Sequence, residues 1–269
     1  MTATTTRPPA RPVARFTAGF GNVFARESRL WWATRRWWIQ TLLWTGLLVG
    51  LLVAFLWIAE QAPPGPDGQQ VMVGVAEVWP QYLPVATLLS TVGVVVLTQG
   101  VMLDERRSGT LEWVLTKPVS RTAFVLAKVT AHTIPVVVAL IVVPWTGVYA
   151  VLSSQVDGVW PPGTFVAVAG LAALLVVFTV ALTVLLGTWT TNRGLVIGVP
   201  IAAVMLYDGV HTLARDLAGQ LPFPWETTTV AVQLATGAPL PSTVPIAATV
   251  AWTAAAVAAA CLRFEREQL

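Results

Sequence analysis

The sequence has little charge and little polar chemistry for its 269 residues. Only 11% of the residues are charged, whereas 55% are hydrophobic, and the mean hydropathy is +0.70. Soluble domains carry about 25% charged residues, so this chain has too few to cover a soluble fold. It also lacks the alternating segments of about 10 residues that mark β-barrel strands. Several apolar runs of roughly 20 residues instead predict an all-α integral membrane protein.

Several catalytic and binding chemistries are absent as well. The single cysteine, Cys261, excludes an intrachain disulfide and a cysteine-based metal site. The histidines, His132 and His211, form no HExxH motif. The lysines, Lys117 and Lys128, do not belong to the G-x-x-x-x-G-K-[ST] loop that cradles phosphates. We therefore predict no catalytic residue, no metal and no directly bound cofactor.

Basic residues mark one side of the membrane. All of the 16 Lys and Arg residues except Arg215 lie in the N-terminal segment, the loops after the second and fourth apolar runs, or the C-terminus. The positive-inside rule places these segments in the cytoplasm. Membrane flanks thereby account for the net charge of +3, and no nucleic-acid partner is predicted.

Six membrane spans are predicted, with both termini in the cytoplasm. Residues 1–15, rich in Thr, Pro, Ala and Arg, are expected to form a disordered cytoplasmic tail, and 263–269 a cytoplasmic C-terminus. The sequence leaves open whether 211–244 forms re-entrant helices. The predicted transmembrane domain runs from 37 to 262 and includes the loops between the spans. The spans cover residues 38–58, 83–103, 122–152, 164–189, 195–211 and 245–262.

Proline and glycine punctuate these spans. Pro135 and Pro144 predict departures from a regular α-helix in the third span. Glycines four residues apart allow close approach of two helices. Such GxxxG pairs occur at Gly46–Gly50 and Gly194–Gly198.

Residues 16–36 have an amphipathic pattern. Aromatic and aliphatic residues recur at roughly helical spacing among Arg26, Arg29, Arg35 and Arg36. This pattern predicts a helix in the cytoplasmic interface, with Trp in the headgroup layer and Arg toward water or anionic lipid. The alternative is a frayed extension of the first span.

The segment Leu103–Arg121 places seven charged residues between two apolar spans. On the cytoplasmic side these charges are solvated. Gly109 and Thr110 can start a short helix that Pro118 ends, and Ser120 is a suitable N-cap for the next helix. The short helix carries exposed Leu and Trp side chains. Two interpretations remain open: it docks into a groove of another protein, or it lies flat among the lipid headgroups.

The series DERRSGTLEWVLTKPVSRTAFVLAK, which starts at Asp104, resembles the cytoplasmic loop of ABC-2-type transporter permeases, also called type V ABC exporters. Its place after the second of six spans, the basic amphipathic helix and the C-terminal RFEREQL are similar to that family too. Val114 departs from the family pattern, in which Leu is commoner. The matching positions are Glu105, Gly109, Thr110, Leu111, Glu112, Leu115, Pro118, Val119, Ser120, Arg121 and Lys128.

The resemblance implies partners as well as a fold. The chain would pair with a second permease, as a homodimer or heterodimer, in a prokaryotic plasma (inner) membrane, in contact with membrane lipid. Two copies of an ABC ATPase subunit would bind beneath the pair and hold ATP and magnesium. Residues 16–36 would be the elbow helix, and the charged loop would be the coupling helix that seats in the ATPase. Its docking residues would be Glu105, Arg106, Gly109, Thr110, Leu111, Glu112, Trp113, Leu115, Pro118 and Arg121.

The interior of the spans favours a hydrophobic or amphipathic cargo for export. With Lys128 counted as part of the loop, the spans contain no Lys or Arg, which predicts a mostly apolar path. Thr91, Gln99 and Asp208 are the candidates for contact with the substrate. Alternatively, Thr91 and Gln99 bond to a neighbouring helix, and Asp208 sits in interfacial water.

Two other functions remain open at this point. An ABC-type membrane subunit can serve resistance, sensing or cofactor assembly without bulk export. A protein of another class, a polytopic membrane enzyme or scaffold, would have no ATPase partner. The second alternative predicts no dependence on the Gly109–Arg121 loop.

Overall fold

A computed structural model describes residues 18–61, 75–108, 119–155, 160–213, 223–239 and 242–266. Every regular element in these ranges is helical, in agreement with the all-α prediction. A helix satisfies its backbone hydrogen bonds within one segment, which the lipid interior demands. The helices are α1 (Phe20–Trp32), α2 (Arg36–Glu60), α3 (Val75–Thr98), α4 (Gly100–Arg107), α5 (Arg121–Val137), α6 (Val143–Ser154), α7 (Pro162–Trp189), α8 (Arg193–Leu213), α9 (Glu226–Thr236) and α10 (Val244–Glu265).

Five helical segments of the described chain are long and apolar enough to cross a membrane. The fifth predicted span corresponds to α8, whose described apolar portion, Arg193–Tyr207, is shorter. The number of six spans therefore stays a prediction. The five segments are Arg36–Glu60, Val78–Arg107, Arg121–Ser154, Pro162–Trp189 and Val244–Glu265.

The second span begins earlier than predicted. Residue 83 was the expected start, whereas the spanning helix begins at Val78 and includes Pro80 and Pro84. The prolines suggested a boundary, because proline breaks helices in water. In a membrane bundle, neighbouring elements and local adjustments satisfy the backbone groups that proline leaves free.

The third span departs from the α-helix between its two prolines. A π-helical turn, Val138–Val142, follows Pro135, and Pro144 lies in the first turn of α6. The N–H of Val143 donates to the carbonyl of Val138, five residues earlier. The wider turn suits Pro144, which has no N–H to donate to the α-helical ladder.

The helix α7 lies at the centre of the fold. It packs against α3, α4, α5, α8, α9 and α10. Its buried hydroxyls bond to its own backbone: Thr179 donates to Leu175 O over 2.8 Å, and Thr183 donates to Thr179 O over 2.8 Å. These groups therefore need no partner from lipid.

Close helix contacts occur at other glycines than the GxxxG pairs. A Cβ added at Gly93 would lie 2.8 Å from Leu140 Cδ2, and one at Gly187 would lie 2.9 Å from Met102 Cβ. At Gly46 and Gly50, an added Cβ would meet nothing within 4 Å. The pair in α2 therefore brings no other helix of the described chain close.

Candidate functional site

The end of α4 is bound to the junction between α7 and α8. Arg106 donates to Gly187 O at 3.2 Å and Thr188 O at 2.9 Å, and Arg107 donates to Thr191 O at 2.8 Å. The last carbonyls of a helix have no partner within it and carry partial negative charge, so a guanidinium there is favourable on both counts.

An ion pair adds the start of α8 to this contact. Asp104 Oδ1 lies 2.7 Å from the Arg193 guanidinium, and both side chains are exposed. Exposed ion pairs contribute at most about 1 kcal/mol, so this one orients α4 relative to α8 more than it stabilises the fold. Three charges at the end of α4 thus hold it on the ends of two other helices.

Glu105, the remaining charge of the run Asp104–Arg107, belongs to a buried cluster. Lys128 Nζ on α5 lies 3.0 Å from Glu105 Oε1 and 3.3 Å from Glu27 Oε1 on α1. On its outer side, Arg26 lies 4.0 Å from Glu105 Oε1. His132 Nε2 lies 3.9 Å from Glu27 Oε2. The cluster joins α1, α4 and α5 at one point.

The start of α1 packs against the residues that lead into α5. The N–H of Ser120 donates to Ala18 O at 3.0 Å. Gly19 has φ 83°, and an added Cβ would lie 2.6 Å from Val119 Cγ2, so only glycine suits this position. Ser120 Oγ accepts from Ala123 N at 3.0 Å, which confirms the predicted N-cap.

The first turn of α5 also binds the end of α10. Arg121 donates to Glu265 O over 2.8 Å, and Thr122 donates to the Glu265 carboxylate. One turn further, the rings of Phe124 and Phe264 stack with centroids 5.5 Å apart. Both ends of the charged loop are therefore attached to several helices.

The predicted docking residues divide into two groups. Glu105, Arg106 and Arg121 lie at the base of the loop, where each contacts a neighbouring helix. The other positions fall in 109–118, which lies outside the described residues. They are Gly109, Thr110, Leu111, Glu112, Trp113, Leu115 and Pro118.

The candidate substrate residues lie in different places. Thr91 is buried and lines a cavity of about 20 Å³, room for about one water molecule. Gln99 lies at the break between α3 and α4, and its buried Oε1 has no hydrogen-bond partner in the described part of the chain. Asp208 lies in α8, but its side chain is outside the described residues. Eight residues of helix separate Thr91 from Gln99, a distance of about 12 Å.

A larger groove of about 430 Å³ opens between α3, α8 and α9. Apolar side chains such as Val85, Met205 and Trp225 line it. Thr87 and Thr228 line both the groove and the small cavity, and their hydroxyls lie 3.4 Å apart. This pair of hydroxyls stands where the two spaces meet.

The buried cluster was not predicted from the sequence. Lys128 was counted with the charged loop on the cytoplasmic side, whereas its side chain is 2% exposed within the third spanning helix. The expectation that the spans contain no Lys or Arg is therefore wrong at this position. A signal was present in α1, where Glu27 follows Val23 by four residues and so shares its apolar face.

A family model described as ABC-2 family transporter protein matches residues 33–269, which is most of the chain. No curated protein matches the sequence closely enough to serve as a relative.

Proposed function

The chain belongs to the ABC-2 family of transporter proteins, and on this basis we propose that it is the permease subunit of an ATP-driven exporter. Proteins of this family are membrane components of transporters and are not themselves catalytic. In the proposal, a separate ABC ATPase subunit holds ATP and magnesium and hydrolyses the nucleotide. Movement of the ATPase reaches the permease through the loop between α4 and α5.

The observation that carries this proposal is the bracing of both ends of segment 109–118. On one side, Arg106 binds the end of α7 and Asp104 binds the start of α8. On the other side, Arg121 binds the end of α10. A partner that moves this segment would therefore move several helices together. A solvated turn would need no such attachment.

The proposed topology has six spans and both termini in the cytoplasm of a prokaryotic inner membrane. The 21 residues of α8 extend for about 32 Å, which matches the hydrocarbon thickness. The distribution of Lys and Arg supports the orientation. In this arrangement the loop between α4 and α5 faces the compartment that contains ATP.

The groove between α3, α8 and α9 supports a hydrophobic or amphipathic cargo. Its lining is largely apolar, with the hydroxyls of Thr87 and Thr228 at one edge. Such a surface suits an apolar body with one or two polar groups. We assign Thr91 to the middle of the path, Gln99 to its inner end and Asp208 to its outer end, where α8 approaches the opposite membrane surface.

Two permeases would form the complete transporter with two ATPase subunits. The exposed face of α2 supports pairing, because leucine side chains there, including Leu42, Leu43 and Leu47, are about half exposed or more. Gly46 and Gly50 on the same helix also leave room for a close partner. The pairing is compatible with a homodimer or a heterodimer, and lipid covers the remaining apolar surface.

Co-purification with an ABC ATPase tests the proposal. The permease is expressed with the ATPase encoded beside it and is isolated by a tag in mild detergent. We expect the ATPase to accompany the wild-type permease and to be lost from Leu111→Asp and Glu112→Arg. Both changes alter the predicted docking helix and leave the braced ends of the loop intact.

Arg29→Glu is the matched control, because it reverses an exposed charge on the same predicted side of the membrane, in α1 rather than in the loop. It should retain the ATPase. If the ATPase binds the wild type and both loop variants equally, the docking function is wrong. If it never binds, a membrane enzyme or scaffold without an ATPase becomes the better description.

A further inference from the structure

Three helices meet at one buried lysine, and an ion pair joins each pair of these helices. Lys128 of α5 lies 3.0 Å from Glu105 of α4 and 3.3 Å from Glu27 of α1. Arg26 of α1 lies 4.0 Å from Glu105, which connects α1 to α4 directly. The helices on both sides of segment 109–118 are therefore linked to the N-terminal helix by one set of charges.

The cluster holds two carboxylates around one lysine. Lys128 is 2% exposed, Glu27 is 7% exposed and Glu105 is 14% exposed, so water does little to solvate them. Buried charges are costly unless they are paired. Each carboxylate has a second basic group at about the limit of an ion pair: His132 at 3.9 Å from Glu27, and Arg26 at 4.0 Å from Glu105.

Local hydrogen bonds leave room for these second partners. His132 Nδ1 lies 2.9 Å from Lys128 O, and a carbonyl oxygen only accepts, so Nδ1 carries a hydrogen. Nε2 then carries a hydrogen toward Glu27 when the ring is protonated. Glu105 Oε2 is buried and accepts no hydrogen bond from the described residues. Glu105 can therefore accept a new donor without losing an existing one, and Glu27 has His132 Nε2 at 3.9 Å.

We infer that Lys128 is a positioning residue that transmits motion between the docking loop and α1 by changing its carboxylate partner. In one arrangement Lys128 bonds Glu105 while His132, in its protonated form, donates from Nε2 to Glu27. In the other, Lys128 bonds Glu27 while Arg26 holds Glu105. With His132 protonated, each carboxylate keeps a cation in both arrangements, so α4 and α1 can shift against α5 without an unpaired buried charge.

This inference rests on the proposed function, because it takes segment 109–118 as the loop that binds the ATPase. It also extends beyond the family match, which starts at residue 33, after the end of α1. In this view α1 is a moving part of the transporter. Its position would report the nucleotide state of the bound ATPase.

The double variant Arg26→Gln/His132→Gln tests the exchange. It removes both second cations and leaves both bonds of Lys128 in place, so the fold should persist. The complex is reconstituted in vesicles of phosphatidylethanolamine and phosphatidylglycerol, and ATP hydrolysis is measured. We expect kcat to fall by about fivefold or more, because the conformational step slows, with unchanged KM for ATP and unchanged bound ATPase. Arg29→Gln, an exposed change on the same helix, should keep wild-type kinetics.

Thiol labelling provides a second readout of the same motion. Val23 is buried on the face of α1 that carries Glu27, so Val23→Cys in a Cys261→Ser background reports movement of that face. We expect faster labelling when ATP, magnesium and vanadate trap the complex. The increase should be absent when Arg26→Gln/His132→Gln is added.

The outcomes separate this inference from the proposed function. If the wild-type permease binds no ATPase, the proposed function fails. If it binds ATPase but the double variant retains wild-type kcat, the exchange at Lys128 is wrong. The exchange is also wrong if the labelling rate of Val23→Cys is the same with and without nucleotide. Should the double variant fail to insert, the neutral variant Glu27→Gln/Glu105→Gln/Lys128→Met replaces it. That variant has no exchange to make, so wild-type kcat would overturn the inference.

Discussion

At the scale of single residues, four consecutive charges at the end of α4 have four different partners. Asp104 binds Arg193, Glu105 binds Lys128, and the two arginines bind backbone carbonyls around the end of α7. The sequence predicted these charges in a loop after the second span, whereas they form the last turn of α4. It could not assign the partners, because they lie more than 20 residues away and no local spacing reports them.

Arg106 and Arg107 allow a matched test of this bracing. Arg106→Gln removes hydrogen bonds to two carbonyls in a partly buried place, and we expect a loss of about 2 kcal/mol in the free energy of unfolding. Arg107→Gln removes one exposed bond to Thr191 O and should cost less than about 1 kcal/mol. Thermal unfolding in detergent measures both. Equal effects would contradict a special role for the contact of Arg106 with α7.

At the scale of whole elements, most spans could be predicted and their contacts could not. Runs of apolar residues are sufficient for locating α2, α7 and α10, because the lipid requirement acts on each helix by itself. Close packing depends on which side chain faces a glycine from another helix. The Gly46–Gly50 spacing therefore suggested a contact that the described chain does not make, while Gly187 makes one without that spacing.

A pair of alanine substitutions tests this packing. At Gly187 a methyl group would lie 2.9 Å from Met102 Cβ, which is close to the helix backbone and cannot swing aside. We expect Gly187→Ala to destabilise the protein by about 1–3 kcal/mol, as overpacking does. Gly170→Ala, within α7, meets open space and should be neutral or slightly stabilising. Unfolding midpoints in the same detergent compare them, and a neutral Gly187→Ala would show that α4 is loosely seated.

At the scale of the whole molecule, the distribution of Lys and Arg predicts which ends of the described helices face the cytoplasm. The six-span topology puts Arg266 and Thr34 on one side of the membrane and Ser154 on the other. The described helices alone do not determine the orientation, because a bundle of helices has the same packing whichever way it is inserted. The bias of Lys and Arg is what breaks this symmetry.

Single cysteines introduced into a Cys261→Ser background test the orientation. We expect Thr34→Cys and Arg266→Cys to react with a membrane-impermeant maleimide only in inverted vesicles, and Ser154→Cys only in intact cells. All three positions are exposed, so burial does not confuse the result. Reaction of Thr34→Cys and Arg266→Cys on opposite sides would require an odd number of spans.

The position of Glu27 also has a consequence for how the protein is made. Its partner Lys128 is synthesised about 100 residues later, a delay of about 5–20 s at translation rates of about 5–20 residues per second. During this time the inward face of α1 carries a carboxylate without its lysine. The helix therefore cannot take its final place until the third span has entered the membrane. Assembly at the cytoplasmic surface is thus timed by the arrival of α5, and a chain that stops before residue 128 would leave this face open to quality-control proteases.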